Sequence, residues 1–403
     1  MRRLAVIALA VFCLFLSDSS NPKPLPVYVP PSGPIPADCR DAHADLTVVT
    51  YNAGLAPGMV GLAGPRTPAV ARAVASSGAD VLCLQEVWTD EERRAVLDAL
   101  ALTPEHVLTF DTADLAEPGD ARCDAGRLES LIACARRECA AVPAEEQTLC
   151  ALDHCQRDLL WLYLRDPKCL QCLTSHVGEE AVRIGQECVD ASASHVYGGR
   201  NGVILVSRWR LFDKEVMLLP ASDANRVGLF ARVEVPGRGA VQVACTHLSA
   251  PQRVSPSYPG FNDWEDEQIA QTRLIAARLR ERAAGGPALF LGDMNFGPRL
   301  SGAVEENSPR AWDEAVRLGF ESPAAAADPP FCSICPEDTL RGGYAGHLID
   351  HALVLAQTRS PALVPRCADR LFTAPETVTG YGGEPVRTSL SDHYAVRVRF
   401  DLR

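Results

Sequence analysis

The chain reads as a four-layer α/β (α+β) sandwich, two packed β-sheets flanked by helices, and three observations carry that reading. Strand-like runs outnumber helical ones, neighbouring runs follow one another like hairpins, and strand-like runs repeatedly end in an acid, an amide or an imidazole. Two sheets packed face to face with helices outside bury every apolar face of such a set. A length of 403 residues allows about two or three domains, but the motifs run from Asn52 to His393, so one large domain with an insertion fits better. Apolar content of 47% against 22% charged supplies a core and excludes a disordered chain.

Met1, Arg2 and Arg3 precede an apolar run over residues 4–16. A charged start and a short apolar stretch make a secretory signal over residues 1–20, with a membrane-anchored N-terminus as the alternative. Phe12 stands where a lipidation signal wants a small residue, which discounts Cys13 as a lipid anchor. No later run is long and apolar enough for a transmembrane helix, so a soluble secreted or periplasmic protein is expected. Seven prolines within residues 22–36 predict a stiff, extended linker over 21–45, followed by a domain over 46–403.

Residues 46–51 (LTVVTY) predict the first strand. Thr67 and Pro68 predict the cap and first turn of a helix with Val70 and Val74 on one face, closed by Gly78. Residues 81–85 (VLCLQ) predict a buried strand that delivers Glu86 at its C-terminal end. From about 121 to 190 the composition shifts to eight cysteines with much Ala, Arg and Leu and none of the motifs, which marks an insertion. There Cys134, Cys139, Cys150 and Cys155 flank Val142 and Pro143 at spacings that suit a helical hairpin stapled by nested pairs, one of three connectivities. Strands resume at 202–207, 227–235 and 240–245, then a helix with Ile269, Thr272, Ala276 and Leu279 on one face, then strands at 288–291, 347–355 and 395–400.

Loss of Cys13 with the signal leaves fourteen of the fifteen cysteines, as an oxidising destination favours. Cys83 and Cys245 lie in apolar strand-like runs, as buried thiols or as a pair with each other; the other twelve are disulfide candidates. Cys169, Cys172, Cys332 and Cys335 form two C-x2-C pairs, a zinc-like pattern that export disfavours.

Six short segments carry the chemistry: TYN (Asn52), LQEV (Glu86), THL (His247), GDMN (Asp293, Asn295), LIDH (Asp350, His351) and SDH (Asp392, His393). Together they supply hard oxygen ligands for a divalent ion, imidazoles for proton transfer and amides for a phosphoryl oxygen. Glu86 ends a buried strand, where a carboxylate needs a cation or strong donor beside it; an Arg salt bridge is the plainer reading. Asn52 orients Glu86 or touches the metal, unless it simply forms a turn. Asp293 and Asn295, two apart, point to the same side of a strand, against the alternative of a loop turn. Asp350 and His393 make a carboxylate–imidazole pair in which the acid fixes the tautomer and the other ring nitrogen takes a proton from water. His247 ends its strand as Asn52 and Glu86 do, whereas His351 has no such support.

These positions resemble the endonuclease/exonuclease/phosphatase superfamily, over about residues 46–402 outside the insertion. The resemblance implies two mixed sheets, with Asn52 and Glu86 on a Mg²⁺ ion, Mn²⁺ or Ca²⁺ being alternatives, and Asp392 near it. It further implies that Asp293 activates or positions the nucleophile, that Asn295 and His247 contact the phosphoryl group, and that His393 pairs with Asp350. The reaction implied is in-line attack of water on a phosphodiester without a covalent enzyme intermediate, and no GxSxG elbow is present. The strings LQEVW and THLSA and the helix before LGDMN look most like the neutral sphingomyelinase branch, which implies a phospholipid headgroup as partner and a transient membrane contact. A secreted deoxyribonuclease-like enzyme acting on nucleic acid is the alternative, although a net charge of −12 argues weakly against non-specific polyanion binding. A non-catalytic binding protein on the same scaffold is the third reading.

Overall fold

The computed structural model describes residues 27–30, 33–40, 42–112, 123–190, 195–222, 224–251, 261–302, 304–341, 345–356 and 362–403. The expected signal over 1–20 lies outside them. Two six-stranded mixed sheets form the centre. The first runs Leu363–Leu371, Ala395–Leu402, Leu46–Leu55, Val81–Val87, Ile204–Ser207, Val107–Thr109; the second runs Phe320–Glu321, Asp350–Leu355, Ala288–Asp293, Gly239–His247, Arg226–Val235, Leu211–Leu219. Each sheet has one parallel pair, Leu46–Leu55 with Val81–Val87 and Gly239–His247 with Ala288–Asp293.

The strand period of two decides which residues fill which layer. Leu46 and Val48 face the second sheet, in one core with Leu229, Val243 and Leu291. Val49 and Tyr51 face outward onto Val70 and Val74 of the Ala63–Ala75 helix and Val96 of Asp90–Leu100. Apolar residues therefore occupy both faces of the central strands, and each fully buried Val contributes roughly 1.5–3 kcal/mol. Across the second sheet, Ile275 and Leu279 of the Trp264–Ala283 helix close the fourth layer. The Ala63–Ala75 helix starts four residues before the expected Thr67 cap, and Thr67 Oγ1, inside the helix, bonds back to Ala63 O at 3.0 Å instead of capping.

The Pro-rich segment departs from a free linker. Ile35–Pro36 pairs with Ala327–Asp328, Cys39 is bonded to Cys367, Tyr28 N donates to Arg299 O, and the Tyr28 ring meets Trp312 edge-on at 5.2 Å. Proline's lost N–H groups suit an edge position, so a Pro-rich run can lie along a domain as readily as away from it.

The insertion is helical, with Ala125–Glu138, Ala144–His154, Gln156–Arg165, Pro167–Ser175 and Ala181–Val189. Cys134–Cys155 and Cys139–Cys150 are nested across the first two helices as the spacing predicts. Cys123–Cys169 and Cys172–Cys188 complete it. Cys332 pairs with Cys335, so the zinc pattern dissolves into three disulfides. Cys83 and Cys245 pair with each other, which brings the disulfides to seven among the described residues. Seven disulfides fit an oxidising compartment. No helix among the described residues is long and apolar enough to cross a membrane.

Candidate active site

The strand ends that carry the motifs meet at one end of the sandwich. In the second sheet His247, Asp293 and Asp350 occupy adjacent register positions on three neighbouring strands. In the first sheet Asn52 lies opposite Gln85, with Glu86 next along. Asn52 joins the two sheets: its Nδ2 donates to Glu86 Oε1 at 3.1 Å and to Asp293 Oδ2 at 2.9 Å. Its Oδ1 accepts from Gly54 N at 3.0 Å, so the NH₂ end of the amide faces the carboxylates. In this arrangement the amide orients Glu86 and Asp293, the first of the two roles expected of Asn52.

His393 is fixed from both sides. Its Nδ1 is 2.8 Å from Asp350 Oδ2, its backbone N donates to Ser391 Oγ, and Ser391 Oγ donates to Asn52 O at 2.8 Å. The free ring nitrogen, Nε2, faces Asp293 Oδ2 at 4.0 Å. Asn295 departs from the same-side strand geometry expected of it. The strand ends at Asp293, Asn295 N donates to Asp293 Oδ1 at 2.9 Å, and Asn295 turns to φ 51°. That turn sends Asn295 Nδ2 to Leu248 O at 3.1 Å and to 3.2 Å from His247 Nε2. Glu86 too sits at positive φ, 55°. Backbone held there costs about 1–3 kcal/mol and is tolerated where the surroundings fix it.

The electrostatics of the cluster follow from burial and crowding. Burial and then the Asp350 carboxylate push Asp293 up to about 7. Burial and Asp392 raise Glu86, while His393 and the Asn52 hydrogen bond oppose the rise. For His393 burial works downward, but Asp350, Asp392 and Asp293 carry it up to about 10. His247 is held well below the usual imidazole range by burial, with Arg226 and His393 adding to it. Asp350 Oδ1 is buried without a hydrogen-bond partner among the described residues.

All eight expected residues thus gather at one place, but not as one ligand set. Within this cluster Asp293, Asp350 and His393 bring ligand atoms within 4.8 Å of one another. Asp350 and His393 are already bonded as a pair. Glu86 remains the partly exposed acid, with one hydrogen bond among the described residues and a neighbouring repulsive carboxylate in Asp392. Crowded, partly open carboxylate oxygens fit a hard divalent ion, which relieves their repulsion. Glu86 and Asp392 are the residues that would hold it.

Two arginines escaped the sequence reading. Arg66 is fully buried and donates to Gly61 O, Ala53 O, Gly54 O and Leu390 O, which ties the chain after Asn52 to the chain before Ser391. An Arg among the apolar positions of a helix was the available signal. Arg226, buried at the head of its strand, places a positive charge that lowers both Glu86 and His247. Nothing in its sequence context marks it. His351 is structural: its Nδ1 meets Ser322 Oγ at 2.9 Å and its Nε2 meets Phe296 O at 3.1 Å, away from the cluster.

Two mixed sheets whose strand ends converge on carboxylates, amides and a His–Asp pair define a phosphoesterase-type scaffold. The chain belongs to the endonuclease/exonuclease/phosphatase family, whose sequence pattern matches residues 49–393. No curated protein sequence matches it. Among solved structures it is similar to SmcL, at 13% identity and a TM-score of 0.50, covering 88% of this chain and 99% of that one. It is also similar to sphingomyelinase C from Streptomyces griseocarneus (16% identity, TM-score 0.49, 89% and 99% covered). D. rerio TDP2 complexed with a single-strand DNA product gives 12% identity, a TM-score of 0.47, and 88% and 98% covered. The likeness to SmcL is one of fold alone.

Proposed function

We propose that this protein is a secreted, divalent-metal-dependent phosphodiester hydrolase that acts on a phospholipid headgroup, sphingomyelin first. The observation that carries the reaction class is the His393–Asp350 pair, 2.8 Å apart, with the free imidazole nitrogen turned toward Asp293. Asp350 orients the ring, so Nε2 of the neutral imidazole, a form that the surrounding carboxylates disfavour, is the atom that takes a proton from a water positioned by Asp293 and attacking phosphorus. Asn295 and His247, 3.2 Å apart, supply donors for the non-bridging oxygens. Glu86 and Asp392 would hold a divalent ion such as Mg²⁺, which would supply positive charge to offset that on the phosphate and the leaving oxygen.

The substrate reading rests on the LQEVW and THLSA contexts and on a net charge of −12, which gives no general attraction to a polyanion. The test is phosphocholine release from sphingomyelin vesicles beside plasmid nicking, at equal enzyme and Mg²⁺, over a salt series. A nuclease with several phosphate contacts loses activity steeply with salt through counterion release, whereas hydrolysis of a zwitterionic headgroup does not. Fast, salt-sensitive nicking without phosphocholine release would overturn the lipid substrate and leave the hydrolytic mechanism standing.

A further inference from the structure

We propose that the outer face of the Gln156–Arg165 helix in the cysteine-rich insertion docks on a phospholipid bilayer, an inference that rests on the phospholipid reading above. The helix, QRDLLWLYLR, turns Leu159 and Leu162 into the disulfide-lined core of the insertion, beside Cys155 and Cys169. At about 100° per residue, Arg157, Leu160, Trp161 and Leu164 share an arc of roughly 100° on the other side. Trp161 is 45% and Leu164 62% exposed.

Single exposed apolar residues are ordinary. The charges around this pair set it apart. Arg157, Arg165 and Lys168 are exposed, and none forms an ion pair among the described residues. The neighbouring acids are engaged elsewhere: Asp158 accepts from Ser130 Oγ at 2.7 Å, and Asp166 pairs with Arg127 at 2.9 Å while capping the next helix through Cys169 N. A chain of net charge −12 therefore presents, on this helix face and at the helix end beside it, three cations without ion pairs among the described residues, next to a Trp–Leu pair. Such a face matches a bilayer surface, with cations on lipid phosphates and Trp and Leu at the boundary of headgroup and acyl chain. Cys134–Cys155 and Cys123–Cys169 fasten the chain just before and just after the helix, so little order remains to be gained on docking.

The test uses the full chain and flotation with phosphatidylcholine vesicles, with and without phosphatidylserine. The double variant Trp161→Ser, Leu164→Ser should lose at least about tenfold in vesicle-bound fraction. Its turnover of soluble bis(p-nitrophenyl) phosphate and its circular dichroism should stay at the parent level, and Trp161→Phe should retain most binding. Arg157→Glu with Arg165→Glu should remove the phosphatidylserine-dependent part. A parent protein that stays in the supernatant, or a double variant that floats like the parent, overturns the proposal. So does a double variant that changes only from dimer to monomer, which would make the face a contact between two copies. Detergent-dispersed sphingomyelin separates the two readings: hydrolysis there without flotation rejects the surface alone, and flotation without phospholipid hydrolysis rejects the substrate alone.

Discussion

Cys83 and Cys245 are bonded across the interior, from the first sheet to the second, three residues before Glu86 and two before His247. The bond holds the two halves of the candidate site at one separation, directly beneath the residues that must meet. Asn52 repeats the connection at the surface of the cluster, through Glu86 on one side and Asp293 on the other.

Replacing both Cys83 and Cys245 by Ala should cost about 2–4 kcal/mol of stability, read from urea unfolding under non-reducing conditions. Activity per folded molecule should fall as well, because the sheets lose a fixed link next to the site. A variant with parent stability would show that packing alone holds the sheets.

His393→Ala should lower turnover by at least about 10²-fold, and Asp350→Asn by a comparable factor through loss of the orienting carboxylate. The double replacement should cost little more than the larger single one, since the two act as a unit. Additive losses in steady-state kinetics would separate their roles.

Chelation should abolish turnover, and Mg²⁺ should restore it. In Glu86→Gln the Mg²⁺ concentration for half-maximal activity should rise by at least about tenfold, the effect of removing one charged oxygen ligand. An unchanged titration would take Glu86 out of the metal site.

Arg66→Leu should destabilise the fold by at least about 3 kcal/mol, because it leaves the buried carbonyls of Gly54 and Leu390 without this donor. Arg66→Lys should recover only part of that, since an ammonium cannot span the same fork of acceptors. Thermal unfolding of the two variants checks this.

His351 gives a pH dependence with a definite sign. Burial depresses it from 6.5 to about 4, so between those values the unfolded chain binds a proton that the folded chain does not. Its contribution is complete above 6.5 and is lost as pH falls toward 4, by roughly 3 kcal/mol in all. His351→Gln should flatten that part of the stability–pH curve in urea titrations; an equally steep curve would point to other groups.

Much of this protein was legible in its sequence, because period-two apolar runs dictate strands and their buried faces, and because acids and imidazoles at strand ends are costly without a purpose. The four-layer sandwich was readable that way; the cysteine-rich insertion showed as a shift in composition, Cys134–Cys155 with Cys139–Cys150 was one of three connectivities its spacing allowed, and the eight candidate residues were singled out by their short motifs. Tertiary structure alone decided how they meet. The direction of the Asn52 amide, the left-handed turns at Glu86 and Asn295, the choice of Cys83–Cys245 as a bond, the docking of the Pro-rich segment and the entry of Arg66 and Arg226 depend on neighbours tens to hundreds of residues away. Local sequence sets a residue's own backbone preference and polarity; which distant carbonyl, carboxylate or thiol it faces is fixed only when the two sheets pack.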